Sequence, residues 1–182
     1  EPPEDGYQGQ YLVEMARDLH RELGDGVSIA EATEWGYERV VEGLREDLGR
    51  IGVHFDTWFS ERTLHERGDV AEVLRLLDER GVTFEADGAR WLRATEFGDT
   101  RDRVLIRSDG STTYLANDLA YHRDKFDRGF THLIDMWGAD HHGQVKSLHA
   151  GMETLGYPGE PEIILGQFVK LLKSGEEVRL SK

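Results

Sequence analysis

The chain has 182 residues, room for one ordinary domain or two small ones, and its 38% hydrophobic content with four Trp, seven Phe and six Tyr excludes a sequence too polar to fold. Its 22 basic and 36 acidic residues give a formal charge of −14, which argues against a generic binder of nucleic acid or anionic membrane, since such binding rests on basic surface. Cysteine is absent, so disulfides, thiolate metal sites and thiol nucleophiles are excluded and the composition suits a cytoplasmic protein; no apolar run approaches membrane length.

In chain order, Tyr11, Leu12, Met15, Leu19 and Leu23 recur at helical spacing over 7–23, and Gly24 and Gly26 stop that helix. Ser28 and Glu31 predict a capping box for a second helix with an apolar stripe through Ile29, Trp35, Tyr37, Val40, Val41, Leu44 and Leu48. Residues 53–59 read as extended, and Ser60 opens a short polar helix. Asp69, with Glu72 at the box position, is expected to cap a helix that buries Val70, Val73, Leu74 and Leu77. Asp87-Gly88 and Asp109-Gly110 are hairpin turn signals, the second flanked by 104–106 and 113–115.

From about residue 117 the rhythm changes to a helix over 117–128, a strand over 133–137, a glycine turn, a helix over 141–155 and a strand at 163–165. That alternation is the unit of a parallel α/β sheet. Ser174-Gly175 predicts a last hairpin. The region 1–108 is thus mostly helical plus hairpin, and 109–182 is α/β. The Glu-Pro-Pro-Glu start and the abrupt Arg179-Leu180-Ser181-Lys182 end suggest a piece of a longer protein.

Chemistry concentrates in three segments. Trp137-Gly138-Ala139-Asp140-His141-His142-Gly143-Gln144 sits where a buried strand ends and a helix begins, the edge at which open α/β sheets bind ligands. Gly138 permits close backbone approach. Asp140 can accept from two ribose hydroxyls or merely cap the helix. His141 and His142 do not face one another on a helix, where paired ligands need i, i+3 or i+4 spacing. In the second segment, 113–122, Tyr114 and Asp118 lie one helical turn apart, and a carboxylate beside a phenol suits a guanidinium held by two parallel hydrogen bonds. Alternatively, Asp118 is a surface residue and Tyr114 a core one. The third is Ser181-Lys182, where an ammonium on a loop could meet a polyphosphate.

Taken together, DGYQGQYLVEMARDL (5–19), FDTWFSE (55–61), DGARWLRATEFGD (87–99), DRVLIRSDGSTTYL (102–115) and DLAYHRDKFDRGFTHLIDMWGADHHGQV (from Asp118) resemble the class I arginyl-tRNA synthetase family over essentially the whole chain. The resemblance implies part of a Rossmann-like catalytic domain at 109–182, preceded by part of its insertion at 1–108. It implies activation of arginine with ATP and Mg²⁺ to arginyl-adenylate, then transfer to tRNA(Arg). It places arginine recognition on Tyr114 and Asp118 with His142 nearby. It places ATP on Gly138, Asp140, His141 and the backbone at Phe168 and Val169, and the end of the KMSK signature on Ser181 and Lys182. The sequence departs from that signature at Arg179 and Leu180 and contains no His-Ile-Gly-His motif, so the chain is expected to be inactive alone. Two other readings stay open: a metal-dependent hydrolase using Asp140, His141, His142 and His149, and a non-catalytic binding module.

Overall fold

A computed structural model describes Gly6 and residues 9–157, 161–167, 169–170 and 172–177. By packing, the chain forms two compact units, one of Glu1–Trp58 with Lys170–Lys182 and one of Phe59–Val169. Among the described residues, no helix is long and apolar enough to cross a membrane.

The first unit holds α1 (Gln10–Leu23) and α2 (Ile29–Arg50). The expected capping box forms, with Glu31 N–H donating to Ser28 Oγ at 3.2 Å and Ser28 N–H to the Glu31 carboxylate at 2.9 Å. Glu22 ties the helices together, accepting from Trp35 Nε1 at 2.9 Å and pairing with Arg39. Neither helix buries a residue, and the apolar stripe of α2 stays open at Ile29, Val40 and Leu44. Residues 53–59 form no strand.

The second unit begins with α3 (Arg62–Glu66) and α4 (Asp69–Glu79). Val70, Val73, Leu74 and Leu77 are buried, as the periodicity predicts, but the cap differs. Gly68, with φ 77°, is the N-cap; Asp69 is already helical and accepts from Arg67 Nε at 2.8 Å, while Glu72 binds Arg75. A left-handed glycine turns the chain there without a side-chain acceptor.

Strands β1 (Thr83–Ala86) and β2 (Ala89–Leu92) form the Asp87-Gly88 hairpin, whose central φ values of 53° and 73° are those of a type I′ turn. The second hairpin does not form as expected. Strand β3 (Arg103–Ile106) pairs with β2, its return arm is the single bridge Ile106–Thr112, and Tyr114 is already helical. Helix α5 (Tyr114–Asp127) therefore starts earlier than the sequence suggests. Its first turn is pinned to β3 by Thr113, whose N–H donates to Leu105 O at 2.9 Å and whose Oγ1 donates to Val104 O at 2.8 Å.

Next come β4 (Ile134–Gly138), a 3-10 segment over Ala139–Gln144, α6 (Val145–Leu155) and β5 (Glu162–Gly166). β4 and β5 pair in parallel, Ile134 opposite Glu162 through Gly138 opposite Gly166, confirming the expected α/β unit. The core joins α3, α4, α5, α6 and the three-stranded sheet through Leu64, Leu77, Leu92, Leu105, Leu119 and Leu148, each at most 1% exposed. Finally, β6 (Leu172–Lys173) and β7 (Glu176–Glu177) form the predicted hairpin about Ser174-Gly175 in the first unit.

Candidate functional site

The pinning of Thr113 decides where α5 points. It sets Tyr114, largely exposed, and Asp118, half-buried, one turn apart on the same side, as i and i+4 must be. A hollow of about 160 Å³ is walled by Tyr114 and Asp118 with Arg103, Arg107, Gln144 and Leu148 among others. A second, of about 320 Å³, is walled by Tyr114, Asp118, Met136, Trp137, Gly138, His141 and Gln144. Asp118 and the C-terminal end of β4 thus face one space.

Gly138 makes that edge what it is. The Asp140 carboxylate folds back over it, and a Cβ on Gly138 would overlap Asp140 Oδ1 and lie 3.6 Å from its Cγ. Asp140 is exposed and pairs with His141 at 3.7 Å; His141 packs edge-on to Trp137. His141 and His142 sit in the 3-10 segment rather than in an α-helix. His142 is exposed and lines neither hollow, whereas Gln144 lines both. Val169 is described and exposed; Phe168, Ser181 and Lys182 lie outside the described residues.

A third hollow, of about 170 Å³, reaches Asp118 from the other side, between Phe59, Glu61, Leu64, Asn117 and Tyr121. Sequence reasoning did not single out Glu61. Its carboxylate accepts from Asn117 Nδ2, whose Oδ1 accepts from Thr112 Oγ1 at 3.1 Å. Burial pushes the Asp118 carboxyl above its ordinary value; Glu61 and Asp135 add to that push, while His122 and Lys125 oppose it.

Two polar clusters frame the hollows. Asp99 is almost fully buried and accepts from Arg103 Nε at 2.6 Å, Ser147 Oγ at 2.8 Å and Thr100 N at 2.6 Å. Burial would raise the Asp99 carboxyl, but these donors, Arg103 foremost, hold it well below the carboxylate range. Asp135, on β4, accepts from His122 Nε2 at 2.7 Å and Lys125 Nζ at 2.5 Å. Burial would raise it too, yet those partners pull it down to about 2. Each cluster combines sequence neighbours, Asp99 with Arg103 and His122 with Lys125, with one residue from another element, Ser147 on α6 and Asp135 on β4.

Among the described residues, no three His, Asp or Glu side chains gather in a geometry that could hold a metal ion. The hydrolase built on Asp140, His141, His142 and His149 therefore has no donor set there. His149 Nε2 instead meets Pro161 O at 2.9 Å.

The family described as tRNA synthetases class I (R), catalytic domain, matches residues 11–176. The arginine–tRNA ligase of Bacillus pumilus is 47% identical over 190 residues, covering 100% of this chain and 34% of the relative. That of Bacillus subtilis is 45% identical over 188 residues, covering 99% and 34%. A Campylobacter jejuni structure assigned as an arginyl-tRNA synthetase superposes with TM-score 0.88 at 36% identity, over 100% of this chain and 41% of that one. The Thermus thermophilus arginyl-tRNA synthetase shares the fold at TM-score 0.54 and 18% identity, over 85% and 34%. The chain spans about a third of the length of the curated relatives it matches.

Proposed function

The chain belongs to the family of class I arginyl-tRNA synthetase catalytic domains, and from that membership we propose that it supplies part of a site that activates arginine with ATP and delivers it to tRNA(Arg). The α-carboxylate of arginine attacks the α-phosphorus of ATP and the bond to pyrophosphate breaks; a hydroxyl of the tRNA then attacks the arginyl carbonyl, and the acyl–phosphate bond breaks to release AMP. Mg²⁺ enters with the phosphates of ATP. The reaction belongs in the cytoplasm. Residues 1–108 are mainly the insertion of the catalytic domain, and 109–182 its second nucleotide-binding half.

The observation that carries this reading is the shared hollow of Asp118 and the Gly138 turn. A cationic side chain on Asp118 and a ribose on Gly138 and Asp140 would sit side by side, as a mixed anhydride of an amino acid and AMP requires. Asp118 is the carboxylate that takes the guanidinium, with Tyr114 beside it. Glu61, across Asp118, suits a cation with donors on more than one edge; a guanidinium has five, an ammonium three. His141 lies on the nucleotide side and His142 by the arginine, and the backbone at Phe168 and Val169 receives adenine. Ser181 and Lys182 bring positive charge to the departing pyrophosphate. Holding both reactants in line supplies most of the acceleration.

An NMR titration of the chain tests this. Millimolar arginine shifts the resonances of Tyr114 and Asp118, lysine shifts them less, and Asp118→Ala removes the response. An equal response to both amino acids, or an unchanged one in Asp118→Ala, would refute the assignment.

A further inference from the structure

One turn along α5 from Asp118 begins a charged cluster whose residues line none of the three hollows. His122 is 3% exposed, and each ring nitrogen faces an oxygen: Nδ1 meets Asp118 O at 2.7 Å, and Nε2 meets Asp135 Oδ2 at 2.7 Å. A carbonyl oxygen only accepts, so Nδ1 donates. The other oxygen of Asp135 takes the Lys125 ammonium at 2.5 Å, and a carboxylate bound to an ammonium is itself an acceptor. Nε2 is therefore placed to donate as well. The imidazole and the ammonium thus share one carboxylate. They lie on the same helix, α5, as Asp118 and are locked to β4 through Asp135.

We propose that His122 and Lys125, joined through Asp135, are positioning residues that set buried positive charge beneath Asp118 and fix α5 against the strand ending at Gly138. The inference rests on the reading of Asp118 as the carboxylate that receives the arginine side chain. That carboxylate must be charged to work, yet it is half-buried and faces Glu61 from the segment before α3 and Asp135 from β4, both of which resist its ionisation. Arg103 and Arg107 share its first hollow, but Arg103 is committed to Asp99, and Arg107 donates to Thr112 O at 2.7 Å. His122 and Lys125 supply the compensating charge from below, and lie on its own helix. Burying charge in this way is stable only because every partner is hydrogen-bonded.

The test uses the 182-residue chain and needs no substrate. Carbon-detected titration of the Asp118 carboxyl should give a higher midpoint in Lys125→Met and in His122→Asn, and the parent midpoint in Lys125→Arg, which restores the charge. An Asp118 midpoint unmoved in both variants overturns the proposal. If His122→Asn does not fold, the Lys125→Met and Lys125→Arg pair decides alone. An arginine titration of the same samples separates the two readings. A midpoint that moves as described while arginine leaves Asp118 undisturbed would defeat the assigned ligand, not the electrostatic arrangement.

Discussion

Replacing Gly151 by alanine tests whether the packing of α6 on α5 sets the walls of the hollow at Asp118. An alanine Cβ there would lie 2.8 Å from Leu119 Cδ1, 3.2 Å from its Cγ and closer still to Cδ2. Leu119 is fully buried and follows Asp118 directly, so its side chain has no free space to enter. Overpacking of this kind costs about 1–3 kcal/mol. Alanine is the better helix former by about 1 kcal/mol, so the expected net loss is up to about 2 kcal/mol, a drop in melting temperature of up to roughly 8 °C. Urea titration followed by circular dichroism reads it directly. The argument is sharpened in a Leu119→Ala background, itself costing about 2–5 kcal/mol. With the obstructing methyls gone, Gly151→Ala should stabilise by about 1 kcal/mol, giving a coupling of about 1–3 kcal/mol between the two sites. A Gly151→Ala protein as stable as the parent in both backgrounds would refute the close helix contact.

Three further outcomes are expected. Gly138→Ala displaces the Asp140 carboxylate, so adenosine binding by titration calorimetry should weaken at least tenfold while the arginine response at Asp118 persists. Asp135 has a folded value depressed from 3.8 to about 2, so its contribution of about 2 kcal/mol is present above pH 4 and lost as pH falls through 2. Asp135→Asn should accordingly lower stability at pH 7 and make little difference at pH 2, as read by urea unfolding at the two pH values. A chain without a His-x-Gly-His motif should show no arginine-dependent exchange of pyrophosphate into ATP; robust exchange would contradict the division of labour proposed above.

Sequence pattern carried the local structure well where one physical cause acted alone. The Ser28–Glu31 capping box, the Asp87-Gly88 turn and the buried face of α4 each follow from a few adjacent residues. It failed where a neighbour in space competed. Asp69 did not become a cap because Gly68 turns the chain and Arg67 claims the carboxylate. Residues 113–115 did not form a strand because α5 already begins at Tyr114, its start held to β3 through the bonds of Thr113 to Val104 and Leu105. Tyr114, Asp118, Gly138 and His141 line one hollow, whereas Asp140 and His142, singled out with them, are not among its lining residues. Glu61 and the His122–Asp135–Lys125 cluster were invisible to that reading: Glu61 meets Asn117 from a distant segment, and Asp135 meets His122 and Lys125 across the α5–β4 turn, a contact that no periodicity marks.

The account stands or falls on where an adenylate lies. A complex with a sulfamoyl analogue of arginyl-adenylate should place the guanidinium within hydrogen-bond distance of the Asp118 carboxylate and the ribose hydroxyls against Gly138 and Asp140. An analogue seated elsewhere, or one whose lysyl counterpart binds equally well, would contradict it.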